Sequence, residues 1–183
     1  RGIYSAQVEM SLYFPYKFVR VLLQMVMIAI ASILDAVLVV ADEPIYVLDL
    51  TLQAQAFEIV REIRRFNISL LLILHGMGVI WEMCDRVLVM YASKIVEEGN
   101  RDDIFSNPAH PYTIALLESI PKLSADEGRL KAIPGQVPSA LNYPSGCHFF
   151  DRCPDAFDRC RNEKPELVDL GNGHKAACFL AKK

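Results

Sequence analysis

The sequence predicts an α/β fold, because continuous apolar strands alternate with helix-like segments along its N-terminal half. Residues 36–41 (AVLVVA) and 68–74 (ISLLLIL) are short apolar runs without alternation, which is typical of strands buried in a parallel sheet. Between them, residues 52–65 repeat apolar side chains at the spacing of a half-buried helix. The order strand, helix, strand is the signature of an α/β sheet.

A buried helix is expected at residues 21–32, ahead of the first strand. The mostly apolar stretch 19–41 has the length of a membrane span. Arg20, Gln24 and Asp35 interrupt it, so we interpret it as a helix, a turn and a strand. The later elements are expected to be a short helix at 79–83, strands at 86–91 and 94–97 joined by a tight turn, and short helices at 101–106 and 113–119.

The amino-acid composition of the chain changes beyond residue 99. From Pro121 onward it is rich in Pro and Gly and lacks the apolar periodicity of a core of its own, so something else is expected to hold it together. We expect an α/β domain at residues 1–99 and a loop-rich C-terminal extension at residues 100–183. The net charge of −3, without a broad basic field, gives nucleic-acid binding no electrostatic support.

Polar side chains stand where the two predicted strands end. Asp42 and Glu43 directly follow the first strand, and His75 follows the second. Open α/β sheets bind their ligands at the carboxyl ends of the strands, so we expect all three residues at one edge. In nucleotide hydrolases such an Asp helps to hold Mg²⁺, and an adjacent Glu polarises the attacking water. The alternative is that Asp-Glu-Pro simply ends a strand and begins a turn.

The cysteines fall into two groups. Cys84 stands alone in an apolar segment, which is typical of a small core residue. Four thiols in a Pro- and Gly-rich segment indicate a cross-link, and disulfides, tetrahedral zinc and an iron–sulfur cluster all suit them. His148 and His174 could replace a thiol in a zinc site, although surface histidines are the simpler interpretation. These four thiols belong to Cys147, Cys153, Cys160 and Cys178.

The order of these motifs resembles the ABC transporter ATPases, in particular the subunits of peptide importers. Residues 41–44 (ADEP) are followed by Leu48-Asp49 and then by His75 at the end of the next strand. The segments that continue the resemblance are 85–91 (DRVLVMY), 95–99 (IVEEG), 104–113 (IFSNPAHPYT), 133–138 (IPGQVP), 146–149 (GCHF) and 152–154 (RCP).

The resemblance implies roles for individual residues of a partial P-loop NTPase domain. Asp42 matches the Walker B carboxylate, and Glu43 matches the catalytic base. Asp49 matches the D-loop residue that contacts the partner subunit, and His75 matches the switch that senses the γ-phosphate. Gln24 follows the position of the family signature and joins the nucleotide-binding set.

The same resemblance implies the setting in which the chain works. It implies ATP and Mg²⁺ as ligands, and a 4Fe–4S cluster on the four C-terminal cysteines, which makes the extension metal-binding. It implies a second ATP-binding subunit and transmembrane permease subunits as partners, at the cytoplasmic face of the cell membrane. The implied cargo is short peptides, with nickel carried by related importers.

The sequence departs from the family pattern in four places. No GxxxxGK[ST] phosphate loop occurs; it would lie upstream of residue 1, so this chain alone is not expected to bind ATP with normal affinity. Residues 18–21 (FVRV) replace the signature LSGG, residues 45–47 (IYV) replace Thr-Thr-Ala, and Gly76 replaces an Asp. Three explanations of these departures stay open: a degenerate subunit, a fragment of a longer protein, and unreliable residue identities near the N-terminus. The first of them gives an alternative function, a degenerate, non-hydrolysing metal-binding interaction subunit that retains an ABC-ATPase scaffold.

Overall fold

The computed structural model of the chain describes residues 37–43, 68–120 and 132–181. The chain forms two compact units, residues 1–75 and residues 76–183. The helices predicted at 21–32 and 52–65, together with Gln24 and Asp49, lie outside the described residues.

The described part of the first unit is a parallel pair of strands. Strand β1 (Leu38–Asp42) pairs with β2 (Ser69–Ile73), with Leu38 opposite Ser69 and Asp42 opposite Ile73. Both predicted strands and their parallel pairing are confirmed. The strands expose alternate side chains, such as Val40 at 58%, whereas burial on both faces was predicted. The helices predicted to flank these strands are outside the described residues.

The second unit is built on an antiparallel sheet of four strands in the order β3-β4-β6-β5. The predicted strand pair at 86–91 and 94–97 is confirmed, and its second strand extends to Asn100. Strands β5 and β6 and the last helix were not predicted. The elements in chain order are α1 (Met77–Met83), β3 (Arg86–Tyr91), β4 (Lys94–Asn100), α2 (Arg101–Ser106), α3 (Pro111–Glu118), a 3₁₀ turn (Phe150–Arg152), α4 (Asp158–Asn162), β5 (Val168–Gly171) and β6 (His174–Ala176).

The turn between β3 and β4 is anchored by the C-terminal extension. Ala92 and Ser93 both have positive φ, 43° and 64°, as a two-residue hairpin turn of the primed type requires. The ring of His148 lies 2.8 Å from the carbonyl oxygen of Ala92, measured from Nδ1. The hydroxyl of Ser93 is 2.8 Å from that of Tyr143, whose ring stacks on His148. These contacts connect the hairpin tip to the segment that carries Cys147.

The hydrophobic core of this unit is shared between the hairpin and the extension. Val87, Val89 and Tyr91 occupy alternate positions of β3 and are buried, as the period of a strand requires. Phe149 of the extension is 1% exposed and packs edge-on against Tyr91, with ring centroids 5.1 Å apart. The extension is therefore held by an aromatic side chain in a common core, which its Pro- and Gly-rich sequence did not predict. Cys84 packs against this core, as predicted.

Strand β6 adds the end of the chain to the sheet. Glu97 of β4 lies opposite Ala176, and Glu98 lies opposite Lys175. The backbone N–H of Ala177 then donates to the carbonyl oxygen of Val96 at 2.8 Å. This pairing fixes where the next residue, Cys178, leaves the sheet. Of the helices in the described residues, none has the length and apolar character to cross a membrane.

Candidate functional site

The first candidate site is the carboxyl edge of the β1–β2 pair. Asp42 is the last residue of β1 and is exposed, Glu43 follows it, and His75 comes two residues after β2 ends. The backbone N–H of Glu43 donates to the carbonyl oxygen of Ile73 at 2.9 Å, which extends the pairing one residue past β1. Because the strands are parallel and in register, both chain segments reach the same edge.

Glu43 and His75 are in direct contact at this edge. Nε2 of His75 lies 2.5 Å from Oε1 of Glu43. An ionised carboxylate only accepts hydrogen bonds, so Nε2–H of His75 is the donor. The side chain of His75 is 71% exposed and that of Glu43 is 37% exposed. The pair is therefore hydrogen-bonded and also accessible to a ligand from solvent.

Glu43 adopts an unusual backbone conformation. Its φ is +47°, in the left-handed region that costs a non-glycine residue about 1 kcal/mol or more. Its hydrogen bond to Ile73 holds this conformation. Backbone strain of this kind clusters at functional sites, and here it lies at the residue that contacts His75. Of the predicted nucleotide-site residues, the structure brings Asp42, Glu43 and His75 to one edge, while Asp49 and Gln24 lie outside the described residues.

The second candidate site is a small cavity in the other unit, lined by four thiols. The cavity has a volume of about 20 Å³, and Cys147, Cys153, Cys160 and Cys178 all contribute to its wall. Cys160 lies in α4 and the other three cysteines lie in loops, so residues spread over the last part of the sequence converge. The rest of the wall is mostly apolar and is formed by His110, Pro111, Phe149, Phe150, Asp155, Pro165, Phe179 and Leu180.

Gly146 allows two of these cysteines to approach each other. A Cβ atom at this position would lie 2.3 Å from the carbonyl oxygen of Cys160, closer than real Cβ contacts come. The backbone N–H of Cys147 donates to that same oxygen at 2.8 Å. A glycine next to Cys147 is thus what lets its chain lie directly on α4, where Cys160 is found.

Burial sets the protonation of the thiols. It raises the pKa of Cys153 to about 11, against opposing hydrogen bonds from the backbone, and it raises the pKa of Cys147 and of Cys178 as well. Neighbouring cysteines of the cavity add to each increase, because adjacent thiolates repel. Without a cation these thiols are protonated at neutral pH, so binding of a metal would release protons.

The cavity presents four thiols as its donor set, for which the sequence suggested disulfides, zinc or an iron–sulfur cluster. All five cysteines are free, so the disulfide alternative is not what the structure contains. Within residues 37–43, 68–120 and 132–181, no three His, Cys, Asp or Glu side chains are arranged to hold a single metal ion. Four thiols around one cavity still match the ligand type of an iron–sulfur cluster, in which separate irons take separate thiolates. The metal assignment stays a prediction.

His148 and His174 are not surface residues, so their simpler interpretation was wrong. His148 is 8% exposed and His174 is 7% exposed. Burial is possible because each ring has a polar partner: the carbonyl oxygen of Ala92 for His148 and the carboxylate of Glu97 for His174. Glu97 and His110 are both fully buried, and no role was predicted for either. Their sequence signal was their place in segments 95–99 and 104–113, which continue the family resemblance.

Comparisons with known proteins agree with this arrangement. Residues 96–160 match the family described as "Oligopeptide/dipeptide transporter, C-terminal region". The oligopeptide transport ATP-binding protein AppD of Bacillus subtilis is 44% identical over 168 residues, which cover 91% of this chain and 51% of that protein. The corresponding protein OppD of Salmonella typhimurium is 41% identical over 176 residues, covering 96% of this chain and 52% of that protein.

The dipeptide transport ATP-binding protein DppD of Escherichia coli is 41% identical over 166 residues, covering 90% of this chain and 51% of that protein. The chain thus spans about half the length of the relatives it matches. With the strand-end acids, the histidine and the C-terminal segment all in the family's order, the chain is similar over at least 90% of its length to the ATP-binding proteins of oligopeptide and dipeptide ABC transporters.

Proposed function

We propose that this chain is part of an ATP-hydrolysing subunit of an ABC importer that drives uptake of dipeptides or oligopeptides. The observation that carries the proposal is the hydrogen bond between Glu43 and His75 at the carboxyl edge of two parallel strands. The proposal is supported by the names of the relatives, which are peptide transport ATP-binding proteins.

In this proposal Glu43 is the base that polarises the water attacking the γ-phosphate. Its Oε1 accepts from His75, which orients the carboxylate and leaves Oε2 to accept from that water. Asp42, one residue before, would hold Mg²⁺, and the ion would supply neutralisation of the phosphate charge. His75 is exposed enough to contact the γ-phosphate as well as Glu43.

The proposed partners follow from the same family. We propose Asp49 as a residue for contact with a second ATP-binding subunit and Gln24 as a nucleotide-binding residue. The pair of subunits would drive transmembrane permease subunits from the cytoplasmic face. These assignments are supported by the relatives, since they are named as transport proteins that bind ATP. Nickel is the other cargo that the family resemblance suggests.

The hydrolysis step is tested with Glu43→Gln in the complete subunit, including its phosphate loop, together with the permease. Steady-state ATP hydrolysis should fall at least about 100-fold, the usual contribution of a positioned base, while ATP binding persists. Glu166→Gln removes an exposed carboxylate of the second unit and serves as the control. Hydrolysis by Glu43→Gln at the parent rate contradicts the assignment and supports the non-hydrolysing alternative.

The cargo is tested by uptake in cells that lack their own peptide importers. Labelled dipeptides and oligopeptides should enter with the parent subunit and fail to enter with Glu43→Gln. Uptake of nickel ions without uptake of peptides would assign the other cargo. Equal entry of peptides with both variants contradicts the proposed transport function.

We also propose that Cys147, Cys153, Cys160 and Cys178 bind a 4Fe–4S cluster. The support is their shared cavity, its mostly apolar wall and the thiolate donor set that such clusters take. Protein purified without oxygen should be brown and contain about four irons per chain. Equimolar zinc supports the zinc alternative instead, and free thiols with neither metal contradict both.

A further inference from the structure

A completely buried carboxylate lies next to the four-cysteine cavity. Glu97 of strand β4 is 0% exposed. A buried carboxylate costs several kcal/mol unless its oxygens are hydrogen-bonded, so its partners indicate what it stabilises. Glu97 lies in the second unit, whereas Asp42, Glu43 and His75 belong to the first, so hydrolysis as proposed above does not explain it.

The carboxylate of Glu97 joins three separate parts of the chain. Its Oε1 accepts from the backbone N–H of Ala109 and from Nε2 of His174, both at 2.7 Å. Its Oε2 accepts from the backbone N–H of His110 at 3.0 Å. One side chain thereby connects β4 to the turn before α3 and to β6. Its partner in β6, His174, is 77 residues away from Glu97 in the sequence.

Both of the connected segments reach the cysteine cavity. His110 forms part of the cavity wall. His174 begins β6, and Cys178 lies two residues beyond the end of that strand. The ring of His174 also lies close over Gly99 of β4, where an added Cβ would be 3.1 Å from Cδ2. The position of β6, and with it the position of Cys178, therefore depends on this buried pair as well as on the backbone pairing of β6 with β4.

The other cysteines are held by different contacts. Cys147 and Cys160 are joined by a backbone hydrogen bond of 2.8 Å next to Gly146. Cys153 follows the 3₁₀ turn, where its backbone N–H donates to the carbonyl oxygen of Phe150 at 3.2 Å. Loss of the Glu97–His174 contact should release Cys178 and leave the remaining three thiols in place.

We propose that Glu97 and His174 are positioning residues of the four-cysteine site, which fix Cys178 against Cys147, Cys153 and Cys160. The inference rests on the proposed cluster site, because it gives these residues a role in assembling its ligands. Nε2 of His174 is hydrogen-bonded to Glu97, so we assign the pair a positioning role and not metal ligation.

The test measures which thiols lie close together in the complete subunit after metal removal. Mild oxidation followed by peptide mapping should give disulfides of Cys178 with another cavity cysteine, and of Cys147 with Cys160. His174→Ala should lower the Cys178 products about 10-fold, because it removes the hydrogen bond between β6 and the Glu97 carboxylate, and should leave the Cys147–Cys160 product unchanged. His174→Gln, which keeps an N–H donor, should restore most of the Cys178 products.

Two further variants sharpen the result. Glu97→Gln places an amide against two backbone donors and should act like His174→Ala. Glu98→Gln is the matched control, because Glu98 lies on the same strand and pairs with Lys175 of β6 at 2.8 Å on a more exposed side. Unchanged Cys178 products in His174→Ala overturn the proposal. Loss of both kinds of disulfide also overturns it, because the pair would then support the whole unit.

The iron content and visible absorption of the protein as purified distinguish failure of this proposal from failure of the proposed cluster. A parent protein without metal, whose Cys178 products still fall in His174→Ala, contradicts the cluster and supports the positioning role. A parent with the full spectrum, and a His174→Ala variant with the same spectrum and disulfides, contradicts the positioning role alone.

Discussion

The burial of His110 makes the stability of the protein depend on pH. It is 1% exposed, and burial lowers its pKa from the usual 6.5 to about 4, while the Glu97 carboxylate acts in the opposite direction. Its Nδ1 accepts a hydrogen bond from the backbone N–H of Tyr112 at 3.0 Å and so caps helix α3. A proton on Nδ1 would remove this cap, so the folded protein keeps the ring neutral.

Because of His110, the free energy of unfolding should decrease as the pH falls from about 6.5 towards 4. In that range His110 binds a proton in the unfolded chain but not in the folded protein. Its contribution to the free energy of unfolding is therefore complete above pH 6.5 and is lost below it. Urea unfolding at pH 7.5 and at pH 5 should show a loss of about 2 kcal/mol from His110. His110→Asn keeps a capping oxygen and should reduce the pH dependence by that amount. An unchanged pH dependence in the variant would contradict the account.

Gly146→Ala should destabilise the protein strongly. Its methyl group would lie 2.3 Å from the carbonyl oxygen of Cys160 and 2.4 Å from that of Arg161, and backbone atoms cannot yield easily. We expect a loss of about 3 kcal/mol in the free energy of unfolding, as for severe overpacking. Gly78→Ala is the control, because nothing lies within 4 Å of an added Cβ in helix α1 and alanine favours helices. Equal unfolding midpoints for the two variants would show that residues 146 and 160–161 are not in contact.

Among the elements, the segment that begins at residue 132 is connected to β3 by hydrogen bonds of the Arg152 side chain. Nε of Arg152 donates to the carbonyl oxygen of Pro134 at 2.7 Å, and Nη2 donates to that of Ile133 at 2.9 Å. Nη1 reaches the hydroxyl of Tyr91 at 3.3 Å. The planar guanidinium matches three acceptors at once, which an ammonium group cannot do.

Arg152→Lys should therefore release residues 132–136 from the hairpin. We expect a loss of about 1–3 kcal/mol and faster amide exchange in that segment, measured by hydrogen–deuterium exchange. Arg159→Lys is the control, since Arg159 forms an exposed i,i+4 ion pair with Glu163, and such pairs contribute little. Unchanged exchange at residues 132–136 would contradict the role of Arg152.

The elements that the sequence predicted are those with a strong local signal. The apolar runs ending near Asp42 and Ile73, and the alternation within β3, follow directly from strand geometry. Strands β5 and β6 are only four and three residues long and are stabilised by pairing with distant parts of the chain. No local window contains that information, so they were missed.

For the molecule as a whole, the two candidate sites differed in how far the sequence could predict them. The contact of Glu43 with His75 was predictable, because strand ends in a parallel sheet meet at one edge. The convergence of the four thiols was suggested by their number and setting. How the four thiols are brought together was not predictable from the sequence. It depends on Gly146, Phe149 and the buried carboxylate of Glu97, which act through tertiary contacts.

The proposed role of Glu43 lies in the hydrolysis of ATP and not in its binding. The most direct measurement is a single turnover of radiolabelled ATP on the complete subunit, followed by identification of the bound nucleotide. Glu43→Gln should retain unhydrolysed ATP, with a rate at least about 100-fold below the parent, whose bound nucleotide should become ADP. Formation of ADP by Glu43→Gln at the parent rate would contradict the claim.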